Sequence, residues 1–349
     1  MELRLLPWQL PAWQRLASLR ERRPHALLLH GARDIGKRDF ALQWAAAALC
    51  ESPLADARAC GQCTGCQLLI ADNHPDLRLV VPAADAVARA DEEGAQAGEE
   101  GGKTAKASRS IRIDQVRELD EFLTISSHRG GVRLVVLAPA EAMNTDAASA
   151  LLKMLEEPPP GAGFILVSHE IDAVLPTIRS RCVLVRLAPP TPAQALDWLR
   201  AQGVEQAELR LAEAGGAPLA AVGGDERHRL DEASRVLLLR LLARGAALEP
   251  AEIATALPRD LLLTPAITLL QRWCADLLEA RSRGSVRYHP AQAREIERLA
   301  RAASLEQLLG WGRELIQARA ASEHPLNARL VMERCLLSYA TALAGRPSR

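Results

Sequence analysis

A parallel α/β sheet domain followed by an all-helical remainder is the fold this sequence predicts. Three observations carry it. Short apolar runs of strand length recur at residues 26–30, 77–81, 132–137, 164–167 and 182–187, and largely apolar runs belong to strands buried on both faces. Between them, apolar residues recur every three or four positions, so strand and helix alternate as in a parallel sheet covered on both sides. Beyond Pro189-Pro190 the helical period continues to Arg349 with no strand-like run.

Composition sets the outer limits. A chain of 349 residues exceeds one ordinary core, and two or three domains are expected. Hydrophobic residues at 48% and charged residues at 25% exclude large-scale disorder and fibrous architectures. The 43 Lys and Arg balance the 43 Asp and Glu. The chain therefore lacks the broad basic surface of a protein that grips nucleic acid over most of its face. No apolar stretch is long enough to span a membrane, and the start Met1-Glu2-Leu3-Arg4-Leu5-Leu6-Pro7 has none of the parts of a signal peptide. A cytoplasmic location without a membrane partner is expected.

In chain order, Ala26-Leu27-Leu28-Leu29-His30 is the first buried strand. The glycine turn behind it, Gly31 to Lys37, opens a helix whose buried face carries Phe40, Trp44, Ala45, Ala48 and Leu49. After the second strand, residues 82–109 hold Ala, Gly, Glu and Asp with almost no large apolar side chain. Such a segment buries too little to repay ordering and reads as a flexible insertion. Asp114 is expected to cap a helix carrying Val116, Leu119 and Leu123. Asn144, Thr145 and Asp146 offer caps for a helix through Leu151, Leu152 and Leu155, which Pro158, Pro159 and Pro160 must end. Thr191 caps a further helix with Pro192 at its first position. The pattern changes near residue 188 and again at Gly223-Gly224-Asp225-Glu226. Three parts are expected: 1–188, 189–226 and 227–349.

Gly31-Ala32-Arg33-Asp34-Ile35-Gly36-Lys37 fits the G-x-x-x-x-G-K portion of a phosphate-binding loop, between a strand and a helix as that mechanism requires. In a working loop backbone N–H groups and the lysine cradle phosphates, and a following Ser or Thr hydroxyl holds magnesium. Here Arg38 follows, and arginine cannot coordinate a cation. Two readings remain: a degenerate nucleotide loop using Gly31, Gly36 and Lys37, or a plain turn joining strand to helix. The acid that should end the strand at 132–137 is also missing, since Ala138-Pro139-Ala140 stands there and Glu141 lies only past the proline. With neither group in place, hydrolysis by this chain is not expected.

Other signals stand elsewhere. Glu156 and Glu157 end a helix, where the dipole disfavours negative charge. Such rule-breaking is commoner at functional or interface positions, though a solvated pair is the plain alternative. Arg181, in Arg179-Ser180-Arg181-Cys182, is either a surface arginine or one supplied in trans to a neighbour's ATP. Four of the seven cysteines crowd together as Cys50, Cys60, Cys63 and Cys66. In a reducing compartment this spacing reads as a closed structural zinc site of four thiolates, with Gly61 and Gly65 making the turns. An iron-sulfur cluster or buried, redox-active thiols are the rivals. Cys182, Cys274 and Cys335 stand singly in apolar surroundings and read as core.

These residues resemble the delta-prime family of bacterial DNA polymerase III clamp loaders. The resemblance rests on Leu151-Leu152-Lys153-Met154-Leu155-Glu156-Glu157-Pro158-Pro159, on Ser180-Arg181-Cys182 and on the cysteine module after the first P-loop helix. Asn73-His74-Pro75-Asp76, Ile113-Asp114-Gln115-Val116-Arg117 and Asn327-Ala328-Arg329-Leu330 extend it over nearly the whole chain. It implies an AAA+ domain, a small helical lid and an all-α collar that joins a ring of five subunits. The implied partners are the gamma/tau motor subunit and the delta subunit, with the sliding clamp and primed DNA reached through the complex. Arg181 is the implied finger in the neighbour's ATP site. Against the ATPase relatives, the acidic pair falls on Ala138-Pro139, and Gly216-Ala217-Pro218-Leu219 carries leucine where they carry a phosphate-sensing arginine. The expected function is therefore a non-hydrolysing subunit of a polymerase complex. An active AAA+ motor is the alternative, and a zinc-dependent DNA-binding protein a third reading that the neutral charge disfavours.

Overall fold

The computed structural model describes residues 4–18, 24–86, 108–124, 131–223, 230–322 and 327–344. The chain forms two compact units, residues 1–194 and 195–349. Most of the insertion expected at 82–109 lies outside the described residues, as does the segment 224–229 at the second expected boundary. The described ends of the insertion are held together by a 3.0 Å bond from Ala84 N to the Ser108 carbonyl.

The first unit opens with helix α1 (Leu10–Ser18), then strand β1 (Ala26–His30), α2 (Lys37–Leu49) and α3 (Thr64–Ile70). Strand β2 (Leu77–Val80), α4 (Ile113–Thr124), β3 (Arg133–Leu137), α5 (Thr145–Glu156) and β4 (Ala162–Ser168) follow. Helix α6 (Pro176–Arg179) and β5 (Val183–Arg186) complete it. The five strands form one parallel sheet in the order β2-β3-β4-β1-β5. Central strands are apolar on both sides, and alternate residues serve opposite cores. Leu28, Val135, Leu137, Phe164 and Leu166 pack with Leu119, Leu123, Leu151 and Leu155 of α4 and α5. Leu27, Leu29, Val136, Ile165 and Val167 pack on the other side with Trp13, Leu16, Phe40 and Ala45 of α1 and α2.

Three expectations need correction. Helix α2 is buried nearly all round rather than on one face, because it is wedged between the sheet and α1. Its alanines permit that close approach, while Ala48 is exposed and Trp44 is half-buried against Trp13, ring centroids 5.2 Å apart. Helix α4 starts at Ile113, so Asp114 sits in its first turn instead of capping it. The buried Ile111 pairs with the chain at Met143, which fixes where the backbone turns, and Gln115 Oε1 accepts from Arg112 N at 3.0 Å. Cys182 is half-buried, unlike the fully buried Cys274 and Cys335.

A charge inside the sheet is accounted for. Arg133 is 4% exposed, with its Nε 3.4 Å from Asp76 and its guanidinium 4.8 Å above the Phe122 ring. Asn144 does cap α5, its side chain accepting from Ala147 N at 2.8 Å. Asn144→Ala is expected to cost about 1 kcal/mol, measured as a lower urea midpoint at unchanged slope.

The second unit is helical throughout its described residues. Helices α7 (Pro192–Ala201), α8 (Ala207–Glu213) and α9 (Pro218–Val222) enclose a small core of Ala195, Leu199, Ala207, Leu211 and Ala221. Thr191 Oγ1 accepts from Gln194 N while Gln194 Oε1 accepts from Thr191 N, a reciprocal cap at the start of α7. Helices α10 (Glu232–Arg244), α11 (Pro250–Ala256), α12 (Leu263–Arg283), α13 (Ala293–Ala302), α14 (Leu305–Ala321) and α15 (Ala328–Leu343) share a larger core around Trp273, Trp311 and Tyr339. There the buried Asp276 accepts from the backbone N–H groups of Arg287, Tyr288 and His289 and pairs with His289 Nδ1 at 2.8 Å. Burial alone would push this carboxyl up, but the hydrogen bonds outweigh it and hold it below the usual carboxylate range.

Candidate functional site

The glycine loop lies at the carboxyl end of β1, between β4 and β5, where open parallel sheets place their ligands. A Cβ at Gly31 would stand 2.4 Å from the Leu187 carbonyl oxygen, so only glycine lets the loop pass β5's extension. Gly36 has a φ of 80°, the left-handed conformation glycine tolerates, and leads directly into α2. The loop is tied from outside: Trp8 Nε1 donates to the Ile35 carbonyl at 3.0 Å and Gln9 Nε2 to the Gly36 carbonyl at 2.8 Å.

Lys37 is 2% exposed and folds back on this loop. Its Nζ donates to the Gly31 carbonyl at 2.9 Å and to the Ala32 carbonyl. Burial pulls the ammonium down to about 8, with the Glu141 carboxylate opposing. Arg38 is exposed where a metal-holding hydroxyl would stand. At the end of β3, Ala138 is buried and carries no acid.

Glu141, set aside in the sequence because it follows Pro139, is nevertheless part of this corner. It lies on a 3-10 turn, Ala140–Ala142, and its side chain is only 9% exposed. Its Oε1 accepts from His169 N at 2.9 Å and lies 3.9 Å from Arg33 Nη2. The turn brings it inward, a placement that no local residue pattern announces.

Arg181 follows α6 and is a third exposed. Its Nη2 lies 2.6 Å from Glu156 Oε1, and its Nη1 donates to the Thr177 carbonyl at 2.9 Å. The acidic helix end and the Ser-Arg-Cys arginine therefore meet. Exposed pairs of this kind contribute about 0–1 kcal/mol, so the contact orients more than it stabilises.

The four cysteines do come together. Cys50 ends α2, Cys60 and Cys63 lie in the following turn, and Cys66 is on α3. Their sulfurs all lie within 4.8 Å of one another, with Cys50–Cys63 and Cys60–Cys66 each at 3.9 Å. Disulfide sulfurs stand at about 2.05 Å, so these are not bonded pairs. A tetrahedral zinc-thiolate site with Zn–S of about 2.3 Å has edges of about 3.8 Å, which the two 3.9 Å separations match. Backbone N–H groups of Cys60, Gln62, Cys63 and Cys66 point at the sulfurs of Cys50, Cys60, Cys60 and Cys63 at 3.3–3.4 Å, as partners of charged sulfur do. Those from Gln62 and Cys63 pull the Cys60 thiol down to about 6, whereas burial pushes Cys50 and Cys66 up. Four thiolates this close would repel one another, and a bound cation would supply the charge that holds them. The group can hold one metal ion.

Similarity to known proteins covers both units. A family model described as DNA polymerase III, delta subunit, matches residues 10–191. A Yersinia pestis protein named DNA polymerase III subunit delta' is 31% identical over 358 aligned positions, 97% of this chain and 96% of its own length. The Pseudomonas aeruginosa protein of that name is 42% identical over 221, but the match spans 62% of this chain and only 60% of that relative. A solved Thermotoga maritima structure, a DNA polymerase III gamma subunit-related protein, covers 95% of this chain and 99% of its own at 18% identity and a TM-score of 0.46. Among the described residues, no helix is long and apolar enough to cross a membrane.

Proposed function

This chain belongs to the DNA polymerase III delta-prime subunit family, and on that premise we propose that it is the non-hydrolysing stator of a clamp loader. The observation that carries the reading is the metal side of the loop. An exposed Arg38 and a buried Ala138 stand where the hydroxyl and the acid of a working ATPase would be. Magnesium then lacks its protein anchors, and phosphoryl transfer lacks the charge that the ion supplies. Gly31, Gly36 and Lys37 form a degenerate nucleotide loop, its lysine already engaged by two carbonyls of its own turn.

In this reading the chain contributes to ATP hydrolysis only by lending Arg181 to the ATP site of a neighbouring gamma/tau motor subunit. A guanidinium there offsets negative charge as the terminal phosphoryl leaves. The delta subunit flanks it in a five-membered ring that loads the sliding clamp on primed DNA in the cytoplasm. Residues 1–188 form the AAA+ domain, 189–226 the lid and 227–349 the collar. Cys50, Cys60, Cys63 and Cys66 hold a zinc ion whose role is structural, since four protein ligands leave no open position for substrate.

One observation favours the other reading, an active motor. Glu141 approaches the loop, and its Oε2 is buried with no hydrogen-bond partner. Its other oxygen is engaged by His169 N, and no hydroxyl faces it from position 38. The readings separate in one assay. The isolated chain with ATP and magnesium is expected to show no turnover, while motor subunits, delta, clamp and primed DNA together restore it. Turnover by the isolated chain that disappears in Glu141→Gln overturns the stator reading.

A further inference from the structure

The ion pair between Glu156 and Arg181 does something that neither motif does alone. Glu156 closes the last turn of α5, where unpaired carbonyls disfavour a carboxylate unless a cation accompanies it. Arg181 is that cation, 2.6 Å away. Its guanidinium is gripped at both terminal nitrogens, by Glu156 through Nη2 and by the Thr177 carbonyl through Nη1, with Ser180 Oγ 3.4 Å from Nη1. Both supports are anchored in the core, since Leu151, Met154 and Leu155 of α5 and Ile178 of α6 are buried there. These three contacts occupy at most three of the five guanidinium N–H groups, which leaves at least two donors for a phosphate.

We infer that Glu156 is a positioning residue, holding the Arg181 fork in one orientation for a neighbouring subunit's triphosphate. This rests on the reading of Arg181 as the arginine lent in trans. A long, partly exposed side chain otherwise samples several rotamers, and a misplacement of about 1 Å at a reacting centre costs about 10²-fold in rate. Stability cannot be the pair's main effect, because exposed ion pairs contribute little to it.

The test is a double-mutant cycle in the reconstituted complex with clamp and primed DNA, reading kcat and KM for ATP. Glu156→Ala is expected to lower kcat about tenfold with KM, ring assembly and thermal midpoint unchanged. Glu156→Gln, which keeps one acceptor oxygen, recovers part of the loss. In the Arg181→Ala background Glu156→Ala is expected to add nothing. If Arg181→Ala is itself harmless, the trans-arginine reading fails and this inference with it. If Arg181→Ala is crippling while Glu156→Ala equals the parent, only the positioning role fails. A Glu156→Ala loss that persists on top of Arg181→Ala, or turnover above the parent, overturns the role as well. Should the alanine variant misfold, the glutamine variant carries the same cycle.

Discussion

In a complex rebuilt around Arg181→Ala, ATP turnover at the neighbouring motor site is expected to fall by about 10³-fold or more, and clamp loading to collapse with it. The magnitude is that of arginine fingers in phosphoryl transfer. It arises because the guanidinium meets charge that develops only as the phosphoryl group departs, so the loss falls on kcat rather than on nucleotide affinity. Arg181→Lys is expected to recover little, since an ammonium is a point charge without the planar fork. The folded chain is expected to tolerate either change. Arg181 is a third exposed, and its pair with Glu156 is worth about 0–1 kcal/mol, so thermal midpoint and ring assembly serve as controls. Steady-state ATP hydrolysis with clamp and primed DNA is the measurement, and undiminished turnover by the alanine variant ends the case for a finger.

Metal removal is the second large effect. Protein purified without added zinc is expected to carry one equivalent, and a strong chelator or Cys60→Ser is expected to remove it. In small zinc-finger peptides the bound ion brings about 10–16 kcal/mol at neutral pH. The effect here is local, because the cysteine module contributes little to the two cores that flank the sheet. The metal-free chain is expected to become sensitive to protease between residues 50 and 76 while β1, β3 and β4 persist by circular dichroism. Acid works in the same direction, since protons compete with metal for thiolates and retention weakens as pH falls. Well under one equivalent by elemental analysis removes the metal claim.

Most of the sheet was legible in the sequence because buried parallel strands leave a mark that survives without coordinates. The run at 26–30 became β1 residue for residue, and those at 132–137 and 182–187 lost only their ends. Caps written in local chemistry were equally readable at Asn144 and Thr191. Asp114 misled because a buried neighbour, Ile111, fixed the helix start through a pairing with Met143 some thirty residues away. The helix after the glycine loop misled because a sequence cannot tell one covered face from two when alanine fills the second.

The sequence by itself determined the chemistry that each segment carries: the glycine loop without a hydroxyl after it, a strand end without an acid, four thiols at metal-binding spacing, and an arginine before the last strand. Local order and residue type are enough for those statements. Tertiary structure alone decided which groups meet. It drew Lys37 back onto the carbonyls of its own loop, turned Glu141 inward past Pro139, brought four sulfurs within 4.8 Å of one another and set Glu156 against Arg181. Each of these depends on distances across elements that packing fixes, and a linear pattern contains no such distance.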